Sequence, residues 1–159
     1  MSNRLKSVSL TVAVGAALLT GCAARTASVS PVYFQSGSTA LTSETDHAAI
    51  AAAAKHLEAD PFAYLLLAGY ADSTGDATAN DLLSLQRADT IRAAVIASGD
   101  IDPDRVKVVA LGEEYGTDGM QAARRVEFIF HDGDRQDVVT VGSILAAIGI
   151  TDFVTADAD

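Results

Sequence analysis

Two patterns of apolar residues alternate along the chain and predict different elements. Val32-Tyr33-Phe34 reads as a first strand, closed by Ser36-Gly37-Ser38. Ser43 with Asp46 three residues on approximates a capping box, and the alanine-rich stretch Ala48 to Leu57 behind it sets Ile50, Ala53, Ala54 and Leu57 on one helical face before Asp60-Pro61 stops it. Ala63 to Ala68 is a short continuous apolar run, the pattern of a strand buried on both faces. A second helix is expected from about Asn80 to Ser98, with Leu83, Ser84, Ala88, Ile91 and Val95 on one arc of its wheel. Asn80 and Arg87 fall inside the same arc, which puts two polar groups at the edge of the core-facing stripe. After the Asp102-Pro103 break, Arg105 to Leu111 and Arg125 to Phe130 read as strands, with a helical turn at Met120 to Arg124. The order β-α-β-α-β-β predicts an α/β (α+β) sandwich, with helices packed on one face of a mixed sheet.

The two ends follow other rules. Arg4 and Lys6 precede an apolar run, Val8 to Leu19, of about a dozen residues, whereas a spanning helix needs ~20. That is the layout of a secretory signal peptide. It ends in Leu19-Thr20-Gly21-Cys22, which resembles the lipobox of bacterial lipoproteins. The resemblance implies a diacylglycerol thioether on Cys22, cleavage just before it, and a further acyl chain such as palmitate on the new amine. Ala23 in place of Asp after the cysteine favours the outer membrane by the same resemblance. Several acyl chains together give stable anchoring, where one alone is marginal. The expected division is therefore a signal peptide at 1–21, a lipidated tether at 22–30, a folded domain at 31–130 and a C-terminal extension at 131–159. In that extension Val138 to Ile150 is apolar, helix or strand, and Thr151 to Asp159 is expected to fray.

Composition narrows the class. Hydrophobic residues are 49% of the 159, enough for one core. The formal net charge of −10 argues against nucleic acid and against a polybasic grip on anionic lipid. The single cysteine makes neither an internal disulfide nor a paired-cysteine zinc site. His47, His56 and His131 have no metal-site spacing and are expected to be solvated, and Asp72, Asp76 and Asp81 do not match a calcium loop. No cofactor or metal is expected. A Gly-x-Ser-x-Gly elbow and a His-Glu-x-x-His motif are both missing, so the chain reads as a binding protein rather than an enzyme.

The residues that carry specific chemistry are Gly69-Tyr70-Ala71-Asp72, then Gly75, then Asn80-x-x-Leu83-Ser84-x-x-Arg87-Ala88-x-x-Ile91. With Phe34, Ser36, Leu41, Gly112-Glu113 and Arg124-Arg125-Val126 at matching distances, they resemble the OmpA-like peptidoglycan-binding domain family, which includes peptidoglycan-associated lipoproteins. The resemblance spans roughly residues 32–130. It implies that Asp72 and Arg87 bind diaminopimelate, the cross-linking residue of peptidoglycan stem peptides. The chemistry suits such a ligand, since an ammonium and a carboxylate on one carbon call for an anion and a cation side by side, with the arginine fork on the carboxylate. Asn80 is expected to cap the helix and fix the loop, and Gly75 to allow the tight return. Ala71 and Arg125 complete the expected site; one of the Arg124-Arg125 pair can reach the rim, and structural pairing with the chain's many acids is the leading expectation for both. The family's His-Thr before the aspartate is Tyr70-Ala71 here, and its Asn before the arginines is Ala123. Those departures carry the alternative, an OmpA-like envelope interaction protein with a degraded pocket and a protein partner, Tol-type or other.

Overall fold

The computed structural model describes residues 29–113, 120–132 and 154–155. The expected signal peptide, Cys22, nearly all of the tether and the apolar stretch 138–150 lie outside the described residues. In chain order the elements are β1 (Val32–Tyr33), α1 (Glu44–Ala59), β2 (Ala63–Gly69), α2 (Ala77–Ala97), a 3-10 turn (Pro103–Arg105), β3 (Val106–Ala110), α3 (Met120–Ala123), β4 (Arg125–Asp132) and β5 (Val154–Thr155).

Each helix starts where local chemistry satisfies its first N–H groups. Ser43 and Asp46 close a reciprocal capping box on α1, as the sequence suggests. For α2 the cap is Asp76, whose carboxylate accepts from the Ala79 N–H at 3.1 Å. Asn80, expected in that role, sits inside the helix instead. Both residue types cap well, and the chain turns helical one residue after Asp76. At the far end of α1, the Arg105 guanidinium donates to the carbonyls of Leu57 and Ala63, drawing the start of β3 against the exit of the helix.

The sheet order is β1-β4-β2-β3-β5. β2 lies at its centre, parallel to β3 and antiparallel to β4, which in turn pairs antiparallel with β1. Central placement explains the unbroken apolar run, because no residue of β2 from Leu65 to Gly69 reaches water freely. Residues 63, 65 and 67 of β2, with Val106, Val108, Val126 and Phe128, meet Ile50, Ala53 and Leu57 of α1 and Ala88, Ile91 and Val95 of α2 in one core. Burying each of the larger aliphatics contributes about 1.5–3 kcal/mol. Gly69 sets how closely α2 approaches, since a Cβ there would collide with the Ser84 carbonyl. That approach carries the next turn of α2, and Arg87 with it, over the end of β2.

Two expectations about exposure change. The Val154–Thr155 segment, expected to fray, pairs antiparallel with Val109 and Ala110 as the fifth strand. His56 is half-buried and packs edge-on against Phe130, with ring centroids 4.4 Å apart. Among the described residues no helix is long and apolar enough to cross a membrane.

Candidate functional site

At the C-terminal end of β2 the chain turns through Tyr70 to Gly75 and enters α2. Gly75 has φ +108°, a backbone most side chains avoid, and so permits the return expected of it. Thr74 N donates to Asp72 Oδ1 at 3.1 Å, which fixes the carboxylate within the turn. Asn80 reaches back from α2, its Nδ2 donating to the Asp72 carbonyl and to Glu113 Oε2, both at 2.9 Å. The loop-fixing half of its expected role therefore stands, through donation to the loop rather than through capping.

Between this turn and the β1–α1 loop lies a cavity of about 150 Å³. Ser36 and Gly37 form one wall, Ala71, Asp72 and Thr74 another, and Asn80, Leu83 and Arg87 of α2 the floor, with Arg124 at the edge. Drug-sized sites run to roughly 300–1,000 Å³, so this one suits an amino-acid head group. A wider depression of about 510 Å³ over Thr39, Gln86, Asp89 and Thr90 is open to solvent and has no buried charge.

The structure thus brings together Asp72, Asn80, Ala71 and Arg87 of the expected site. It does not bring Arg125. The Arg125 guanidinium stacks on the Tyr70 ring with 4.0 Å from Cζ to the ring centroid, and its Nε donates to Glu127 Oε1 at 2.7 Å. Arg124, its neighbour, takes the place instead. Arg124 Nη1 donates to Asp72 Oδ2 at 2.8 Å, in an ion pair whose side chains are only 14% and 12% exposed. This bond, first, and the Thr74 N–H hold the Asp72 carboxyl below the usual carboxylate range, against the opposite pull of burial. Strand alternation could have found Arg124: Val126 points to the core, so Arg124 shares its face and Arg125 takes the other.

Arg87 also departs from expectation. Its side chain is wholly buried, with 0% exposure, and its fork is directed at backbone. Nε donates to Ser38 O at 3.0 Å, Nη1 to Tyr70 O at 3.3 Å and Nη2 to Gln35 O at 3.1 Å, while Cζ lies 5.3 Å from the Phe34 ring centroid. These bonds tie the β1–α1 loop to the β2–α2 turn. Three of the five guanidinium N–H groups are spent in this way, leaving two. Burial, and then the nearby Arg124 charge, push the Arg87 pKa down, with Asp72 opposing both. Among the residues that line it, the cavity therefore holds two guanidinium charges against one carboxylate, with the Glu113 carboxylate set behind Asn80, and it favours an anion that carries a cation of its own.

Of the two departures from the family pattern around the turn, Tyr70 faces away from the cavity, its hydroxyl donating to Glu127 Oε2 at 3.2 Å. Ala71 lines the cavity, its N–H being taken by the Gly112 carbonyl at 2.8 Å. Ala123 is buried away from the cavity walls.

A two-helix, mixed-sheet domain with a charged cavity at the β2–α2 turn defines a class of small binding modules. Residues 33–127 match the OmpA family model, and the chain belongs to that family. It is 35% identical over 85 residues to the peptidoglycan-associated lipoprotein of Legionella pneumophila, a match covering 50% of this chain and 48% of that one. The chain thus spans about half the length of this curated relative. Among solved structures, the peptidoglycan-associated lipoprotein from Burkholderia pseudomallei superposes with a TM-score of 0.57 at 25% identity, over 64% of this chain and 89% of that one. The C-terminal domain of Helicobacter pylori MotB shares the fold, with a TM-score of 0.58 at 21% identity, over 77% and 99%.

Proposed function

We propose that this chain is a lipoprotein of the bacterial envelope that holds peptidoglycan without cutting it. Cys22 carries the lipid that anchors it in the outer membrane, facing the periplasm, and the cavity takes the zwitterionic centre of diaminopimelate in the stem peptides. The observation that carries this reading is the charge count of the cavity, two guanidinium groups to one carboxylate. A ligand carboxylate meets Arg124 and the remaining N–H groups of Arg87, and its ammonium meets Asp72. Asp72 need not release Arg124, because a carboxylate offers about four acceptor positions and Arg124 and Thr74 do not fill them all. The names of the relatives support the same target. The test is co-sedimentation with purified sacculi. The protein is expected in the pellet and free diaminopimelate is expected to displace it; a pellet unaffected by millimolar diaminopimelate would reject the cavity as the site. For the anchor, Cys22→Ser is expected to abolish palmitate incorporation and release the protein from membranes, and continued labelling would reject Cys22.

A second reading, an OmpA-like protein that binds another envelope protein, has one observation in its favour. Arg87 already spends three N–H groups on backbone carbonyls and Asp72 already holds Arg124. It predicts no sedimentation with sacculi and capture of a partner that diaminopimelate does not displace.

A further inference from the structure

The side-chain amide of Asn80 is committed at one end only. Its Nδ2 lies 2.9 Å from the Asp72 carbonyl, 3.3 Å from the Thr74 carbonyl and 2.9 Å from Glu113 Oε2. Two N–H groups thus serve three acceptors. An amide oxygen turned to the same place would meet three oxygens with no proton between them, so the direction of the amide is fixed. At the other end, Asn80 Oδ1 accepts no hydrogen bond among the described residues. The residue is only 6% exposed, yet among the described residues no fully buried side-chain nitrogen or oxygen lacks a partner. Oδ1 is therefore not enclosed. Asn80 lines the cavity, and its oxygen is the end left open.

Glu113 stands behind this amide and is not itself part of the cavity wall. Two contacts fix the turn that carries it. The Gly112 carbonyl accepts the Ala71 N–H at 2.8 Å, which ties the turn to one wall of the cavity. Gly112 has φ +52°, and a Cβ there would collide with the Asp81 side chain, so α2 packs directly on its backbone. Among the described residues no cation pairs with Glu113, whose carboxylate meets the Asn80 amide. Asp72 differs, since Arg124 already balances its charge at 2.8 Å. An unbalanced anion on the N–H side of an amide polarises it and raises the negative character of its oxygen.

We propose that Glu113 is a positioning residue for the binding site: it holds and polarises the Asn80 amide so that Oδ1 faces the ligand's ammonium. This inference rests on the reading of the cavity as a diaminopimelate site. Asp72 and Asn80 Oδ1 then share the ammonium, while Arg124 and Arg87 take the carboxylate. Glu113 touches no ligand. Its charge, relayed through one amide, favours a centre that carries both groups over one that carries the carboxylate alone.

The test is calorimetric titration with two synthetic stem tripeptides, one ending in diaminopimelate and one in 2-aminopimelate, which lacks the free amino group. Glu113→Gln keeps an oxygen for the Asn80 N–H and removes the charge. It is expected to weaken the diaminopimelate peptide about threefold or more and to leave the aminopimelate peptide within about 1.5-fold. Equal losses for both peptides, or no loss for either, would overturn the role of Glu113. An unaltered protein that does not bind the diaminopimelate peptide would instead reject the reading of the cavity itself. The bond is checked without ligand by the side-chain amide proton resonances of Asn80. One is expected to move upfield in Glu113→Gln and further in Glu113→Ala, and unchanged resonances in both variants would overturn the proposal independently.

Discussion

Arg124 and Arg125 are adjacent in the chain, yet they belong to opposite faces of the sheet and do different things. Arg124 turns to the helix side and meets Asp72 at the edge of a cavity. Arg125 turns to the other side and is enclosed by Tyr70 and Glu127, with Ala122 O taking a third contact at 3.0 Å. The first cluster is left with excess positive charge and an opening. The second is balanced, one cation to one anion, with an aromatic face against the guanidinium. A charge cluster becomes a candidate site when its partners within the protein fail to complete it. The Tyr70 cluster is complete and reads as a brace.

The comparison breaks most sharply at Arg87, which serves the cavity from beneath. Arg87→Leu leaves the carbonyls of Gln35, Ser38 and Tyr70 without their donor and is expected to cost about 3 kcal/mol or more in urea unfolding. A loss under about 1 kcal/mol would mean that the loops are held by something else.

Asp72→Asn tests the cavity proper. It is expected to weaken sacculus binding about tenfold or more while lowering stability by about 1–2 kcal/mol, the scale of one hydrogen bond to a charged group. The pH dependence follows from the depressed carboxyl. Its contribution is present above the unfolded value near 3.8 and is lost as pH falls through the lower folded value. Binding should therefore persist through pH 4 and fail only at a pH below 3.8, as the carboxyl takes up its proton at its depressed value.

The smallest effect belongs to the brace. Burial first, and then the Glu127 charge, push the Tyr70 phenol up to about 12 from 10.0. The stability tied to this group is present below pH 10 and is lost as pH rises from 10 to about 12. Glu127→Gln should bring the ultraviolet titration of Tyr70 part of the way back toward 10, because burial remains, and should leave sacculus binding unchanged.

Much of this was legible because it is local. The capping box, the fully buried run of β2 and the arc of α2 each follow from residue type and spacing. Five of the six buried residues of α2, namely Asn80, Arg87, Ala88, Ile91 and Val95, repeat at intervals of one, three, four or seven, and Ser84 completes the set. What escaped the sequence is set by partners far along the chain. Which arginine faces the cavity depends on the register of β4 against β2, which places Val126 opposite Gly69. That Arg87 would spend its fork on backbone depends on where the β1–α1 loop passes, some fifty residues earlier. The cap of α2 was ambiguous because Asp76 and Asn80 are both good caps. The β5 pairing joins two residues of a polar tail to a strand some forty-five positions away, and no local pattern announces it.

The account rests on the cavity's unbalanced charge, and the two arginines provide its most direct test. Sacculus co-sedimentation of Arg124→Ala beside Arg125→Ala should show the first about tenfold or more weaker than the unaltered protein and the second within about twofold of it. Equal losses, or a loss confined to Arg125→Ala, would contradict the assignment of the cavity as the wall-binding site.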